Sequence, residues 1–229
     1  MKRYGLALKR RSIFLLLAVI GLVLLLYGFS ILFAGEKTAP GKLLAESLQK
    51  SISSRTFRYH MEVKTGKQGF LSKVDGEWVA PDRIHIKGNM FNTPVEFIQM
   101  GDVTYMRDIW TKKWIELRNN RLGQAQLFVM ELGPLNFLSF GDVSGVRYAG
   151  HEKIKEGKML LLECRPQLTG SFFNQKYQGY RCKLWIDPKD HRVRQVLLQA
   201  ASQDDDLPTI MLKFWDFDRP GAVEPPKLN

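Results

Sequence analysis

The chain has 229 residues, of which 45% are hydrophobic and 25% are charged, and its formal net charge is +11. This is the composition of an ordinary globular protein with enough chain for one sizeable core, which excludes collagen-like, low-complexity and wholly disordered proteins. An excess of basic residues indicates nucleic acid or an anionic surface as a partner only when it is spread over the whole chain, and here it is not.

The chain opens with a basic segment followed by a long apolar run. Five basic residues lie between Lys2 and Arg11, before the first acidic residue, and Ile13–Ala34 runs for 22 residues without a charge. A helix of that length spans roughly 33 Å, close to the ~30 Å hydrocarbon core of a bilayer, whereas a cleaved signal peptide needs only about 7 to 15 apolar residues. The pattern predicts a basic segment at 1–11 and a transmembrane signal anchor at 12–35. Cleavage near Ala34 is the alternative, which the bulky Leu32 at the minus-three position disfavours.

The charge asymmetry around this run predicts its orientation. By the positive-inside rule the N-terminus stays in the cytoplasm, which makes the protein a single-pass cell-membrane protein with an extracytoplasmic C-terminal domain. No lipobox cysteine follows the apolar run. The chain after residue 35 keeps 29 basic and 23 acidic residues, a net charge of +6. This mild excess suits an anionic envelope surface or simply a soluble domain, and without a nucleic-acid motif we predict no nucleic-acid partner.

Residues 36–41 are predicted to be a linker, and a helix is predicted to follow it. In Lys42–Ser53 the apolar residues Leu44, Leu48 and Ile52 recur at every fourth position, which places them on one face of a helix. From Phe57 onward the period changes to two, because apolar and charged residues alternate as far as Lys64. This alternation predicts a half-buried strand.

The same alternation predicts a series of further strands. They are expected around Leu71–Val79, Arg83–Lys87, Val95–Met100, Val103–Arg107, Trp114–Leu117, Val146–Ile154, Met159–Arg165, Tyr180–Ile186, Arg192–Ala200 and Thr209–Phe217. Turn sequences such as Pro81-Asp82 and Gly101-Asp102 separate them. Short connections make neighbouring strands antiparallel, so about eleven strands are expected to form a long meander.

One apolar stretch interrupts the strands. Leu122–Phe140 contains ten large apolar residues and is divided by Gly133-Pro134. Glu131 and the Gly-Pro pair cut it into pieces far shorter than the ~20 residues of a transmembrane span. We predict two short helices here, forming a hairpin that is buried against the concave face of a curved sheet.

The two cysteines lie in strands that are predicted to be adjacent. Cys164 and Cys182 are each in phase with an apolar face of their strand. An oxidising exterior allows a disulfide, which would close a loop with 17 intervening residues and contribute about 3 kcal/mol. The alternative is two free, buried thiols that pack as small hydrophobic groups.

The sequence contains none of the motifs of a metal centre or an enzyme that we sought. Its four histidines are scattered, and Asp204–Asp206 lacks the spaced ligands of a calcium loop. No GxSxG, P-loop or GxGxxG sequence occurs. We therefore predict no metal, no cofactor and no enzymatic activity.

Three segments carry a resemblance to a known family. They are Val74–Ile86 (VDGEWVAPDRIHI), with a Pro turn before a basic-flanked strand, Gly101–Tyr105 (GDVTY) and Leu184–Pro188 (LWIDP). Together with the layout of helix, meander and hairpin, they make residues 42–218 resemble the LolA-like lipoprotein carriers and the related LppX/LprG lipoproteins. The resemblance implies an unclosed β-barrel whose apolar cavity shields acyl chains or binds an apolar protein segment.

The predicted fold class is α+β and β-rich. An N-terminal transmembrane helix is followed by a curved antiparallel sheet of about eleven strands, an unclosed barrel wrapped around an N-terminal helix and a mid-chain helical hairpin. Residues 42–218 form the LolA-like extracytoplasmic domain, and 219–229 form a C-terminal tail. Aromatic residues are expected to line or cover the cavity: Phe57, Tyr59, Trp78, Phe97, Tyr105, Phe128, Phe137, Phe140, Trp185 and Phe214.

The predicted function is that of a binding protein. A membrane-anchored domain of this type would hold a lipid, a lipoprotein or another apolar ligand at the cell envelope, with a lipid or an acylated protein as its partner. The alternative is an envelope regulatory module, similar to RseB-like sensors, that docks a protein partner and carries no lipid. Both alternatives require the same inward apolar face, so the sequence does not separate a ligand pocket from a packed core.

Overall fold

The computed structural model describes residues 39–65, 69–118, 133–169, 179–201 and 207–228. One α-helix, α1, spans Pro40–Ile52, and a 3-10 helix spans Pro134–Phe137. The strands are β1 Thr56–Thr65, β2 Gly69–Val79, β3 Arg83–Met90, β4 Thr93–Met100, β5 Val103–Arg107, β6 Trp114–Arg118, β7 Phe140–Ile154, β8 Gly157–Leu168, β9 Tyr180–Ile186, β10 Val193–Ala200 and β11 Thr209–Trp215. The prediction of about eleven strands is confirmed.

All eleven strands belong to one antiparallel sheet with the order β6-β5-β4-β3-β2-β1-β11-β10-β9-β8-β7. The prediction of one long meander is wrong, because β6 and β7 are not paired with each other and β1 lies beside β11. Two meanders, β1 to β6 and β7 to β11, are joined where the first strand pairs with the last, for example Met61 opposite Leu212. The terminal strands β6 and β7 each have one paired neighbour, so the sheet is an unclosed barrel, as predicted.

One face of the sheet carries the main hydrophobic core, and we call it the inner face. Alternate residues of β1, β8, β9 and β11 are fully buried there, together with Leu43 and Leu44 of α1. The opposite, outer face carries most of the charged residues and a small separate cluster of Met159, Leu161 and Trp185. The two-residue period of the sequence is therefore the period of burial.

Helix α1 lies against the inner face with a side that only partly matches the predicted one. It packs mainly against β7 and β10, and its buried residues include Ser47 and Ser51, whereas Ile52 is 36% exposed. The small serine side chains let the helix approach the sheet closely, and Ser51 Oγ accepts a hydrogen bond from the backbone N–H of Val193 at 2.9 Å. The predicted stripe is thus right for Leu44 and Leu48, which pack against the core, and wrong for Ile52.

The predicted helical hairpin at Leu122–Phe140 is only partly within the described residues. Its described part contains the 3-10 helix, and Phe140 already belongs to β7, which begins six residues before its predicted start at Val146. Register shifts after Phe140, Ser144 and Tyr148 interrupt the pairing of β7 with β8. Such bulges break the two-residue alternation, so the sequence does not show the beginning of this strand.

The structure gives two findings near the chain termini. Among the described residues, no helix is long and apolar enough to cross a membrane, and the predicted anchor at 12–35 lies outside those residues. In the predicted C-terminal tail, Val223 is only 3% exposed, so this part of the tail packs against the domain.

Candidate functional site

The aromatic residues at the centre of the inner face form a packed core. Phe57 is 1% exposed, and its ring lies 6.4 Å from Trp78, 5.8 Å from Phe214 and 5.7 Å from Phe217, measured between centroids. Tyr59 is fully buried beside them. Its ring lies over Gly76, which is directly opposite on β2, where a Cβ atom in place of the glycine hydrogen would come within 2.3 Å of the ring. These side chains fill the inner face here.

Three further predicted residues also contact this core. Phe137 of the 3-10 helix is fully buried and Phe97 of β4 is 6% exposed, so both are core residues rather than parts of an open lid. Phe140 is half-buried against the same cluster. Phe128 lies outside the described residues.

Two of the predicted cavity residues lie on the outer face. On β5, Met106 is opposite the inner-face residue Phe97, so its neighbour Tyr105, opposite Ile98, faces the other way. On β9, Trp185 belongs to the outer cluster, because the inner positions are those of Cys182, Leu184 and Ile186. Tyr105 and Trp185 therefore do not line the inner face.

The half of the inner face that is distant from α1 contains a row of incompletely buried apolar side chains. Met90 of β3, Val95 of β4 and Met106 of β5 are half-buried against the core, and Ile115 of β6 is 40% exposed. The register places them on one face, since Val95 is opposite Gly88 and Met106 is opposite both Phe97 and Ile115. We call these four residues the inner strip. Its methionines are flexible and polarisable, which suits an apolar ligand of variable shape.

One polar group adjoins the inner strip. Thr104 is two residues before Met106 on the same face and is 0% exposed, and its Oγ1 forms no hydrogen bond with any described residue. A buried hydroxyl without a partner is unusual in a folded protein. Neither Thr104 nor the inner strip was predicted. Apolar residues occur at both odd and even positions of β5, so the sequence does not show which set points inward, and only the strand register shows it.

The cysteines do not form the predicted disulfide in this structure. Cys164 and Cys182 are directly opposite each other on β8 and β9, which confirms that the strands are adjacent, but both are free thiols. They occupy inner-face positions within the main core and pack there as small apolar groups. Burial raises the pKa of the Cys182 thiol, which keeps it protonated and unreactive.

The charged groups of the outer face are organised around carboxylates. Glu62 lies 3.1 Å from His60, 3.3 Å from Lys73 and 3.5 Å from Lys64. Glu96 lies 2.8 Å from Arg107 and 3.2 Å from His85. These networks hold the outer face in register, and they lie on the side of the sheet away from the inner strip.

Comparison with known proteins gives similarity at the level of structure. No family model matches the sequence, and no curated protein sequence matches it. Among solved structures, the lipoprotein LppX of Mycobacterium tuberculosis aligns with a TM-score of 0.56 at 17% identity, over 82% of this chain and 100% of LppX. LprF of Mycobacterium bovis aligns with a TM-score of 0.55 at 13% identity, over 82% of this chain and 96% of LprF.

The chain shares its fold with LppX and LprF. The fold expected from the motifs at Val74–Ile86, Gly101–Tyr105 and Leu184–Pro188 is therefore confirmed. A complex of MucA and MucB from Pseudomonas aeruginosa aligns more weakly, with a TM-score of 0.42 at 14% identity over 76% of this chain and 56% of that one.

Proposed function

We propose that the protein holds the acyl chain of a lipid or lipoprotein against the inner strip. The observation that carries the proposal is the difference between the two halves of the inner face. Beside β8 to β11 the face is filled by α1 and by fully buried side chains, whereas beside β3 to β6 the residues Met90, Val95, Met106 and Ile115 keep exposed apolar surface. An acyl chain laid on these four side chains would bury that surface.

The strength of such binding follows from the area that is removed from water. Each methylene group that leaves water contributes about 0.8 kcal/mol, so roughly ten methylenes provide about 8 kcal/mol before the cost of association. Association itself costs at least about 4 kcal/mol, so ten methylenes alone bind with a Kd of only about 1 mM. A chain of roughly 16 methylenes reaches a Kd of about 1 μM or below, so the site favours long acyl chains.

Thr104 provides a polar end for the same site. Its buried hydroxyl lies beside Met106 and has no hydrogen-bond partner among the described residues. Donating this hydrogen bond to an ester or carboxyl oxygen of the ligand would remove the penalty of an unpaired buried hydroxyl. The site then recognises an acyl chain together with its first carbonyl group.

The N-terminal segment adds the location to this proposal. If residues 12–35 anchor the chain, the domain stays at the outer surface of the cell membrane and acts as a tethered receiver of lipid rather than as a carrier that diffuses between membranes. Protease added to intact cells would then degrade the domain and leave the N-terminal segment in the membrane fraction.

Neighbouring residues of β5 provide a matched test, because Met106 points inward and Tyr105 points outward. A charge at position 106 has to be buried against a bound acyl chain, so Met106→Glu is expected to weaken binding of a fluorescent fatty-acyl probe at least about tenfold, equivalent to about 1.4 kcal/mol. Tyr105→Glu should leave binding within about twofold of the wild type. Far-UV circular dichroism verifies that both variants fold.

Equal probe binding by Met106→Glu and the wild type would exclude the inner strip as the site. A wild-type domain that binds no acyl probe but binds an envelope protein would support the docking module that the sequence left open.

A further inference from the structure

Two aromatic side chains stand out on the surface because they are exposed where the fold gives them nothing to pack against. Trp110 is 82% exposed and Phe91 is 63% exposed, the highest values among the large hydrophobic residues that the structure describes. Each lies in the connection of a hairpin: Phe91 between β3 and β4, and Trp110 between β5 and β6. We call this pair the aromatic tip.

The two connections lie at the same end of the sheet. The strands β3, β4, β5 and β6 are consecutive antiparallel neighbours, so the first and third connections lie at one end and Gly101-Asp102 lies at the other. A groove of about 490 Å³ lies between the two hairpins, and its lining includes Asn89 and Pro94 from one and Ile109 and Lys112 from the other. The two residues of the aromatic tip therefore lie at one end of the sheet, on the two hairpins that border this groove.

The backbone at Phe91 is strained. Phe91 has φ of +47° and Asn92 has φ of +62°, so both central residues of this two-residue hairpin turn are in the left-handed region. Turns of this kind favour Asn and Gly, and a bulky residue in the left-handed region is a true outlier. Asn92 suits the turn and Phe91 does not. An exposed phenylalanine at a strained position contributes neither to the core nor to solubility, which indicates a role outside folding.

The loop that carries Trp110 is fixed by hydrogen bonds. The carboxylate of Asp108 accepts hydrogen bonds from the backbone N–H of Trp110 at 3.0 Å and of Thr111 at 2.6 Å, and from the Thr111 hydroxyl at 2.8 Å. The backbone of Asp108 is also bonded in both directions, to Lys112 and Lys113. The indole is thus held on an ordered loop. Little conformational entropy is therefore lost when the side chain leaves water and contacts a partner surface.

Basic residues surround the aromatic tip. Lys112 and Lys113 are exposed, and the charge of Lys112 also interacts with the carboxylate of Asp108. The groove between the hairpins is lined by Lys87 and Arg107 together with Glu96, which pairs with both of them, and by Asp108. Exposed aromatic side chains flanked by lysines are the composition of surfaces that enter the headgroup region of an anionic bilayer, where the rings reach the acyl boundary and the ammonium groups meet lipid phosphates.

We propose that the aromatic tip inserts into the headgroup region of a bilayer that contains anionic phospholipids. This end of the sheet is also the end at which Met90 and Val95 of the inner strip lie, next to the β3–β4 turn. Insertion would bring the inner strip to the level of the lipids. The membrane contact itself does not depend on whether a lipid occupies the inner face.

Tryptophan fluorescence tests the proposal, because the chain has five tryptophans and Trp110 is the exposed one. The full chain is incorporated into nanodiscs of phosphatidylcholine with phosphatidylglycerol, with and without bromine on the acyl chains, since bromine quenches nearby indoles. Quenching of about one fifth of the emission is expected for the wild type, if the five indoles emit equally, and it should disappear in Trp110→Ser. In pure phosphatidylcholine the quenching should fall by at least about half, because the lysines lose their anionic partners.

Phe91→Gly separates membrane contact from folding. Glycine accepts the positive φ, so this variant should unfold at a higher temperature than the wild type while showing weaker quenching of Trp110. Tyr148→Ser is the matched control, because Tyr148 is an exposed aromatic residue of β7, outside the tip; its quenching should equal that of the wild type. Equal bromine quenching in the wild type and Trp110→Ser, or unchanged quenching in Phe91→Gly, would overturn the proposal.

Discussion

Glu62 shows how single side chains hold the outer face together. Burial alone would raise the pKa of its carboxyl group, but hydrogen bonds from His60 and Lys73 and the charges of Lys64 and Lys73 outweigh it and lower the pKa to about 2. The folded pKa thus lies below the unfolded value of about 4.3. The ionised carboxylate therefore stabilises the fold above about pH 4, and this contribution is lost as the pH falls from about 4 to about 2.

The prediction at this scale concerns Glu62→Gln. Because the carboxylate is near the surface and solvent screens it, the substitution should lower the free energy of unfolding by only about 1 kcal/mol at about pH 7. The difference from the wild type should shrink below about pH 4 and vanish near pH 2. Urea unfolding over this pH range measures it, with Asp102→Asn, at an exposed turn, as the control. A deficit that is independent of pH would contradict the electrostatic explanation.

Single residues also show what the sequence predicts and where its information ends. The alternation in β1 correctly places Phe57 and Tyr59 inward. In β9 the apolar residues Cys182, Leu184 and Ile186 alternate along one face, which already indicates that Trp185 points to the other face. Trp185 was assigned to the cavity because it is aromatic, and its position in this alternation was overlooked. In β5 the phase is ambiguous, and only the pairing of Phe97 with Met106 resolves it.

At the scale of elements, the contact between α1 and β10 depends on one buried serine. Ser51 is 0% exposed, donates its hydroxyl hydrogen to the backbone carbonyl of Ser47 at 2.7 Å and accepts a hydrogen bond from the Val193 N–H. This bond connects the last turn of the helix to the first residue of the strand. A helix face predicted from apolar spacing alone misses such a contact, since a serine has no apolar signal.

Ser51→Ala is therefore expected to destabilise the domain. It leaves the buried N–H of Val193 without an acceptor, which costs about 1 to 3 kcal/mol. Ser53→Ala, in an exposed position just after the helix, should change stability by less than about 0.5 kcal/mol. Guanidinium unfolding compares the two variants, and equal stabilities would show that the contact between helix and strand does not depend on this bond.

The strands were better predicted than the helical regions for a physical reason. A strand with one buried face has an apolar residue at every second position, so its inward side can be predicted from the sequence. The bulges of β7 interrupt this alternation at the N-terminal end of the strand. The 3-10 helix of Pro134–Phe137 is a single short turn, which apolar composition alone does not distinguish from a longer helix.

On the scale of the whole molecule, the pairing of β1 with β11 determines the architecture. Short turns along the chain predict one long meander, which would place β1 and β11 at opposite ends of the sheet. The structure instead pairs the first strand with the last, a contact between residues about 150 positions apart, such as Met61 and Leu212. Nothing local in the sequence encodes this pairing. The same pairing gives the sheet two free ends and leaves the inner strip near one of them.

The account of function rests on the claim that this inner face holds an acyl chain. The most direct measurement is mass spectrometry of organic extracts from the purified domain, residues 40–229, which form a compact unit, with Met106→Glu prepared in parallel. We predict an acyl lipid that approaches one molecule per wild-type domain and is strongly depleted in Met106→Glu. Wild-type protein with no more acyl lipid than a protein-free extract, and with no uptake of an acyl probe, would contradict the account.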